Sequence, residues 1–457
     1  MMRDPAFSRS QKPTPMELKG RHVLVLGLGD TGLSVAHWVE SEGGRVRVAD
    51  TRNSPPGRGD FRGEFHAGAF QESLLNGIDL ICISPGLSLD EPVLREAVQK
   101  YIPVVGDVEL FAWHVRSTSG SKVIAVTGTN GKTTVTALTG HLLRAAGIDG
   151  EVAGNIAPAA LAALLERKKS GKMPAAWVLE LSSYQLESTW SLEPDAATIL
   201  NLSEDHLDRY SSLDEYGAAK ARVLAGDGLQ VLNRDDPRTM AMARPGGKLE
   251  SFGLDAPARQ EDFGVRGGYL VQGDRQIVRG DALRLHGLHN IANALAACAL
   301  ARSLGVSHRQ LGEGLSTFRG LPHRVELVAT RRGVEWYDDS KGTNVGATVA
   351  ALRGLGKKSV LILGGESKGQ DFSPLAPAVS EFATKVLLIG RDAPLIAKAL
   401  AQTETCATLE AAVKRAAELA RPGEAVLLSP ACASFDMFRD YKQRGEVFAA
   451  AVKELAS

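Results

Sequence analysis

Nowhere in this 457-residue sequence do roughly 18 apolar residues run together, the length a membrane-crossing helix requires. Neither sign of charge is in excess: 53 lysines and arginines stand against 53 aspartates and glutamates. That balance removes the basic surplus expected of a nucleic-acid binder or of a protein held at an acidic membrane. The four cysteines, Cys82, Cys298, Cys406 and Cys432, are scattered and form no C-x-x-C pair. Disulfide frameworks and zinc knuckles are thereby disfavoured, and a reducing compartment fits. The opening stretch MMRDPAFSRSQKPTPMELKG is polar and punctuated by proline, without the apolar run of a secretory signal. Fixed-period repeats and low-complexity tracts are also missing. The expectation is a cytoplasmic protein that neither enters a membrane nor binds nucleic acid.

What is present is an alternation of short β-branched and leucine-rich runs with helical patterns, the signature of α/β architecture with mostly parallel sheets. HVLVLGLG reads as a strand ending in glycines, and Leu33, Ala36, Val39 and Glu40 then lie at helical spacing before Gly43 and Gly44. RVRVAD and IDLICISPG are further strands of this first cycle. A second cycle opens at KVIAVTG; its helix carries Val135, Leu138, Leu142 and Ala146 on one face and stops at Gly147. AAWVLELSS and AATILNLS continue it as buried strands. A third follows FRGLPHR, with SVLILGG, KVLLIG and EAVLLSPA. RSTSGS (residues 116–121) and FRGLP (residues 318–322) punctuate the cycles. Three α/β domains in series are expected, at residues 1–116, 117–320 and 321–457: a Rossmann-like domain, a P-loop-type ATPase domain and a second Rossmann-like domain.

Two glycine loops carry the first chemical signals. GLGDTG, with Gly27, Gly29 and Gly32, follows a strand and opens a helix, and Asp50 ends the next strand where a ribose-binding acid would stand. Glycines let backbone approach a diphosphate and the helix N-terminus attracts any anion, so NAD and a UDP group satisfy this loop equally. GTNGKTT is a shortened phosphate loop, with Val126 where the usual pattern has its first glycine. Backbone N–H groups around Gly128 and Gly131 can form an anion nest, Lys132 can reach terminal phosphates, and the Thr133 hydroxyl can meet Mg²⁺. ATP is the ligand this loop predicts.

Mg²⁺ with phosphates asks for hard oxygen ligands. Glu180 ends an apolar strand, where it is either a site carboxylate or one half of a salt bridge. NLSEDHLDRY crowds Glu204, Asp205, His206, Asp208 and Arg209 into a loop whose bland reading is a solvated charged run. Lys220 reads by itself as a helix-surface lysine, and Asn290 with Asn293 as helix-surface amides.

Taken together and in order, GTNGKTT, ELSSYQLE, EDHLDRY, GLHNIANALAA, LPHRVE, DSKGTNVGAT and LSPACASFDMFRDYKQRGEVF resemble the Mur ligases, the ATP-dependent amide-forming enzymes of peptidoglycan precursor synthesis. The likeness spans residues 23–448 and is nearest to the D-glutamate-adding branch. It implies UDP in the first loop, with Gly29, Thr31, Asp50, Thr51, Arg52, Ser84, Pro85, Gly86 and Asn155 lining the UDP-N-acetylmuramoyl-L-alanine site. The family's GNIG reads GNIA here, ending at Ala157. On the ATP side it implies Gly128, Thr129, Asn130, Gly131, Lys132, Thr133, Thr134, Asn290, Asn293, Arg324, Asp339 and Lys341. Mg²⁺, as two ions, would be held by Thr133, Glu180, His206 and Lys220, the last as a carbamate; Lys132, Glu180, His206 and Lys220 form the catalytic set. D-Glutamate would meet His206, Thr343, Lys368, Ser434, Phe435 and Tyr441, the last standing where the family often has phenylalanine. DSKGTN likewise replaces the commoner DSKATN.

The reaction so implied phosphorylates the alanyl carboxylate with ATP and passes the acyl group to the amine of D-glutamate, in a monomer. A sibling ligase, or one like the folylpolyglutamate synthetases, would use another amino acid. A nicotinamide oxidoreductase would explain GLGDTG and leave GTNGKTT without work. A non-catalytic ATP-binding protein would keep that loop but have no need of Glu180, His206, Lys341 and Lys368 together.

Overall fold

The computed structural model of the chain describes residues 13–118, 120–206, 209–285, 287–367 and 369–455. Lys368 and Asp208 lie outside the described residues. Three sheets follow one another along the chain. The first has five parallel strands in the order Glu64–Ala67, Arg45–Asp50, His22–Leu26, Leu80–Ile83 and Val104–Val105. His22–Leu26 therefore has the second strand on one side and the fourth on the other. The loop beyond it, GLGDTG, sits at the reversal point where open α/β sheets take their ligands.

The central sheet has nine strands. Three adjacent parallel members matter most: Ala196–Ile199, Lys122–Thr127 and Ala176–Glu180. Every residue of AWVLE and AATI is buried, as expected of strands covered on both faces by helices. Their register pairs Val126 with Glu180 and Thr127 with Ile199. The phosphate loop, the carboxylate of Glu180 and the NLSEDH loop thus leave the sheet side by side. Toward its far edge the sheet runs through Leu249–Phe252 to an antiparallel meander, Phe263–Arg266, Tyr269–Gln272 and Arg275–Arg279. The third sheet has six strands, beginning with the antiparallel pair Glu326–Arg331 and Val334–Asp338 and otherwise parallel.

The first two domains share one apolar core. Val23, Val25 and Trp38 from the first sheet and its helix join Val123, Leu161 and Trp177 from the second. Helix Asp107–Thr118 straps them together: its Phe111 ring meets Trp177 edge-on at 5.2 Å, and Glu109, fully buried, accepts from Trp113 Nε1, Trp190 N and Ser191 N. That helix reaches Thr118, inside RSTSGS, so the core runs on across the first punctuation. The third domain has cores of its own. It meets the second where helices Leu288–Arg302 and Val345–Leu355 cross, with Gly354 so close that a Cβ there would lie 2.6 Å from His289 Nδ1. No helix among the described residues is long and apolar enough to cross a membrane.

Candidate active site

In the phosphate loop, Gly131 has φ +85° and precedes helix Lys132–Ala145; a Cβ there would fall 2.4 Å from Asn293 Oδ1. Both the turn and the closeness of Asn293 therefore require glycine. Asn201 clamps the loop through its amide, which accepts from Asn130 N at 2.8 Å and donates to Asn130 O at 3.0 Å. Lys132 Nζ folds back to donate to Gly128 O (3.0 Å) and Thr129 O (2.8 Å). Lys220 Nζ donates to the same Gly128 carbonyl at 2.8 Å.

Two lysines on one carbonyl is an electrostatically costly arrangement. Lys220 is 1% exposed, and its amine lies 4.3 Å from the centre of the Tyr216 ring. Burial, reinforced by the charge of Lys132, holds it well below the ordinary ammonium range. The helix-surface reading of this residue is corrected: Ser212 caps its helix, Leu213–Ala221, and the face carrying Tyr216 and Lys220 turns inward. Burial also lowers Lys132, against the opposing charges of Glu180 and Asp205.

Glu180 is 2% exposed. Its Oε1 accepts from Asn155 Nδ2 at 2.7 Å, while the buried Oε2 has no hydrogen-bond partner among the described residues. A bare carboxylate oxygen at a strand end suits a hard cation. Asn155 thus stands beside Glu180. His206 has φ +56°, and its ring lies 4.8 Å from that of Tyr184 and 6.1 Å from that of Tyr216. Thr129 and Thr134 are buried and Thr133 is half-buried.

A cleft of about 600 Å³ opens from this loop between the second and third domains. Asn130, Gly131, Thr134, Asn290 and Asn293 line one side, and Arg324, Asp339 and Lys341 the other. Asn290 and Asn293 are buried and joined at 3.1 Å, which corrects their reading as surface amides. Burial pushes Asp339 up to about 7, against a hydrogen bond from Ser429 and the charge of Arg324. Burial lowers Arg324 as well. Lys341 Nζ lies 4.0 Å from the Tyr441 ring centre. Thr343, half-buried, Ser434, buried, and Phe435, 68% exposed, do not line this cleft.

The glycines of the first loop divide by role. A Cβ on Gly32 would lie 1.9 Å from Gly27 O, so Gly32 serves packing, whereas the Cβ position of Gly29 has nothing within 4 Å. Gly29 caps helix Asp30–Ser41, and Thr31 lies in its first turn. Asp50 accepts from Leu28 N (2.7 Å) and from Arg52. Burial works against its charge, yet those hydrogen bonds hold it down to about 2. Ser84 Oγ donates to Gly27 O at 3.0 Å; Thr51, Arg52 and Gly86 are exposed and Pro85 is half-buried.

Three residues of the site had no assigned role in the sequence reading: Asn201, His289 and Asn344. His289 lines the cleft and is held down to about 4 by burial. Asn344 caps helix Val345–Leu355 by accepting from Ala347 N. It also reaches across the domain boundary, its Nδ2 donating to Asn130 Oδ1 (3.1 Å) and Asp205 Oδ2 (3.2 Å). An asparagine before an apolar helical run signals a cap, but nothing in the pattern signals the second contact.

Three descriptions from one family match successive parts of the chain. They are the Mur ligase MurD-like N-terminal domain over residues 21–106, the Mur ligase middle domain over 126–301, and the Mur ligase glutamate ligase domain over 323–432. The chain is 54% identical to the UDP-N-acetylmuramoylalanine–D-glutamate ligase of Nitrosospira multiformis, over 96% of this chain and 97% of that one. It is 51% identical to the ligase of the same name from Aromatoleum aromaticum, over 96% and 98%. Among solved structures its fold is similar to UDP-N-acetylmuramate–alanine ligase from Thermotoga maritima, with TM-score 0.60, 18% identity and 95% and 100% of the two chains covered. MurF from Acinetobacter baumannii gives TM-score 0.63 at 18% identity, covering 95% and 93%.

Proposed function

The chain belongs to the Mur ligase family, and from that premise we propose that it joins D-glutamate to UDP-N-acetylmuramoyl-L-alanine, with ATP giving ADP and phosphate. It is an amide-bond-forming ligase of peptidoglycan synthesis, acting in the cytoplasm. The observation that carries the reading is the 600 Å³ cleft, which gathers the phosphate loop, the paired asparagines and Arg324, Asp339 and Lys341 from two domains.

A carboxylate is a poor electrophile, so it must first be activated. An oxygen of the alanyl carboxylate attacks the γ-phosphorus of ATP, the bond to the bridging oxygen breaks, and ADP leaves. The neutral amine of D-glutamate then attacks the acyl phosphate carbon; the bond from that carbon to the phosphate oxygen breaks, and the departing phosphate takes up the proton that the nitrogen loses. Both steps gather charge on oxygen, so the protein works through positioning and electrostatic stabilisation. Lys132 is placed to exchange its contacts with Gly128 O and Thr129 O for phosphate oxygens. The loop N–H groups hold the phosphates, and Asn290 with Asn293 face the adenine end.

The bare Oε2 of Glu180 fits a hard cation, and Thr133, Glu180, His206 and a carbamylated Lys220 would hold two Mg²⁺. When bound, the ions supply neutralisation of phosphate charge. A buried lysine whose amine is kept neutral is the form that reacts with CO₂, and the resulting carbamate offers an anionic oxygen where an ammonium would repel the ion. Residues 1–116 bind the UDP-substrate, residues 117–320 bind ATP, and residues 321–457 bind D-glutamate through Thr343, Lys368, Ser434, Phe435 and Tyr441.

The test is phosphate release by the purified protein with Mg²⁺-ATP, UDP-N-acetylmuramoyl-L-alanine and D-glutamate, each omitted in turn and with bicarbonate present. Release should require all three, and L-glutamate and lysine should fail as amines. Release with a different amino acid would make the protein a sibling ligase, and binding of both nucleotides without release would contradict a catalytic role.

A further inference from the structure

Arg209 lies in the catalytic loop of the second domain but reaches into the first. Its Nη1 donates to Leu87 O at 2.8 Å, at the end of the turn formed by Ser84, Pro85 and Gly86, and Leu87 N closes that turn on Ser84 O at 3.0 Å. Its Nη2 donates to Glu187 Oε2 at 2.7 Å, and the two side chains are 12% and 4% exposed. Glu187 ends helix Ser183–Glu187, which begins three residues after Glu180 and opens with the capping box of Ser182 and Gln185. The guanidinium also lies 4.7 Å from the centre of the Tyr184 ring, which in turn has the His206 ring at 4.8 Å and the Tyr210 ring at 6.0 Å.

The backbone repeats the connection. Arg209 N and Tyr210 N both donate to His206 O, at 2.9 and 3.0 Å, closing a turn that starts with His206 in the left-handed region. A non-glycine residue held there persists only where its surroundings fix it. One end of this turn is pinned by Arg209 to the first domain. At the other end Asp205 Oδ2 accepts from Asn344 of the third domain.

The geometry points to Arg209 as a positioning residue that couples occupancy of the UDP-sugar loop at residues 84–87 to the placement of His206 and Asp205 at the ATP site. This rests on the proposed function for the identity of the two ligands. Substrate seated on residues 84–87 fixes Leu87 O; Arg209 follows it and sets the His206 turn. The coupling is reciprocal, because linkage between two binding equilibria has no direction.

Calorimetry with the full chain, a non-hydrolysable ATP analogue with Mg²⁺, and UDP-N-acetylmuramoyl-L-alanine tests the coupling. In the wild type, saturating UDP-substrate should tighten analogue binding by about 10-fold, inside the usual range for coupled sites. Arg209→Met should reduce that factor below about 2-fold while each ligand alone binds within about 2-fold of wild type. Arg209→Lys should recover only part of it, since a single ammonium does not reproduce the planar fork that serves Leu87 O and Glu187 together. Should Arg209→Met not fold, Arg209→Lys and Glu187→Gln carry the test, both with lowered coupling expected. Coupling absent from the wild type, or retained in the folded variants, overturns the proposal. So does weakened binding of each ligand alone with coupling intact, which is what a merely structural ion pair would give. A wild type that catalyses the reaction but shows no coupling defeats this inference alone. A wild type that neither binds the UDP-substrate nor releases phosphate defeats the functional reading beneath it.

Discussion

Where the first domain meets the second, Trp38, Leu161, Phe111 and Trp177 belong to one apolar core, and Glu109 inside it has its oxygens satisfied by Trp113, Trp190 and Ser191. Where the second meets the third, helices Leu288–Arg302 and Val345–Leu355 pack, but at the site itself the contacts are polar: Asn344 to Asn130 and to Asp205, beside an open cleft. Separating the first pair would expose a large apolar surface, whereas water can replace each partner in the second at little net cost. The first domain and the central sheet therefore form one body. The third domain is held at the site by fewer and more replaceable contacts, so it is expected to part from the second more readily than the first does. Acyl phosphates hydrolyse, and a junction that closes only over bound substrates keeps water from them.

The largest expected effect comes from cutting into the apolar junction. Trp38, 2% exposed, packs its ring edge-on to His114 at 4.9 Å with Lys168 Nζ 5.2 Å from its centre. Trp38→Ala should cost about 3–5 kcal/mol, read from chemical denaturation. The loss should fall on a transition shared by the first two domains; if the first domain unfolds alone, the single-body description fails.

A smaller effect in stability but a larger one in turnover is expected across the polar junction. Asn344→Asp keeps an acceptor for Ala347 N, removes the donor to Asn130 and sets a second carboxylate against Asp205. Unfolding free energy should change by less than about 1 kcal/mol, since the cap survives. Turnover should fall roughly 10-fold, as for one lost charge-adjacent hydrogen bond in the closed state. Equal losses of stability and turnover would mean that Asn344 is a cap and nothing more.

The smallest effect is a pH dependence at the connection to the third domain. His323 Nδ1 lies 2.7 Å from Asp338 Oδ2, and that hydrogen bond raises the histidine above its ordinary 6.5 despite partial burial. A raised folded value means that the stabilisation is complete below about pH 6.5 and is lost as pH climbs through the folded value. His323→Gln should therefore lower the unfolding temperature most at pH 5–6, with the gap to wild type narrowing above neutrality. A gap independent of pH would remove the charge from this account.

Much of the fold could be read in the sequence because buried parallel strands announce themselves. HVLVL, AWVLE and SVLILG are continuous apolar runs, and each forms a strand buried along nearly its whole length. The meander from Phe263 to Arg279 could not: its strands are only four or five residues long, two of them carry arginines, and Gly267, Gly268 and Gly273 separate them. At the site, the phosphate loop was legible because its spacing follows from phosphate geometry. Asn290 and Asn293 read as surface amides in isolation, yet LHNIANALAACALAR is too apolar around its circumference to leave them in water. Lys220 was legible only through the family resemblance, since one lysine in YGAAKARVL carries no mark of burial. The contacts of Arg209 with Leu87 and of Asn344 with Asp205 join residues 122 and 139 apart. They depend on how whole domains are set, which no local pattern encodes.

The most direct test of the contrast is a pair of distances measured by electron-spin resonance in one protein. One pair of labels goes across the apolar junction, at the exposed positions Glu40 and Glu166, and the other across the polar junction, at Glu313 and Lys358. Adding an ATP analogue with UDP-N-acetylmuramoyl-L-alanine should leave the first distance unchanged and shorten and narrow the distribution of the second. Movement of the first pair, or a second distance indifferent to both ligands, would contradict the account.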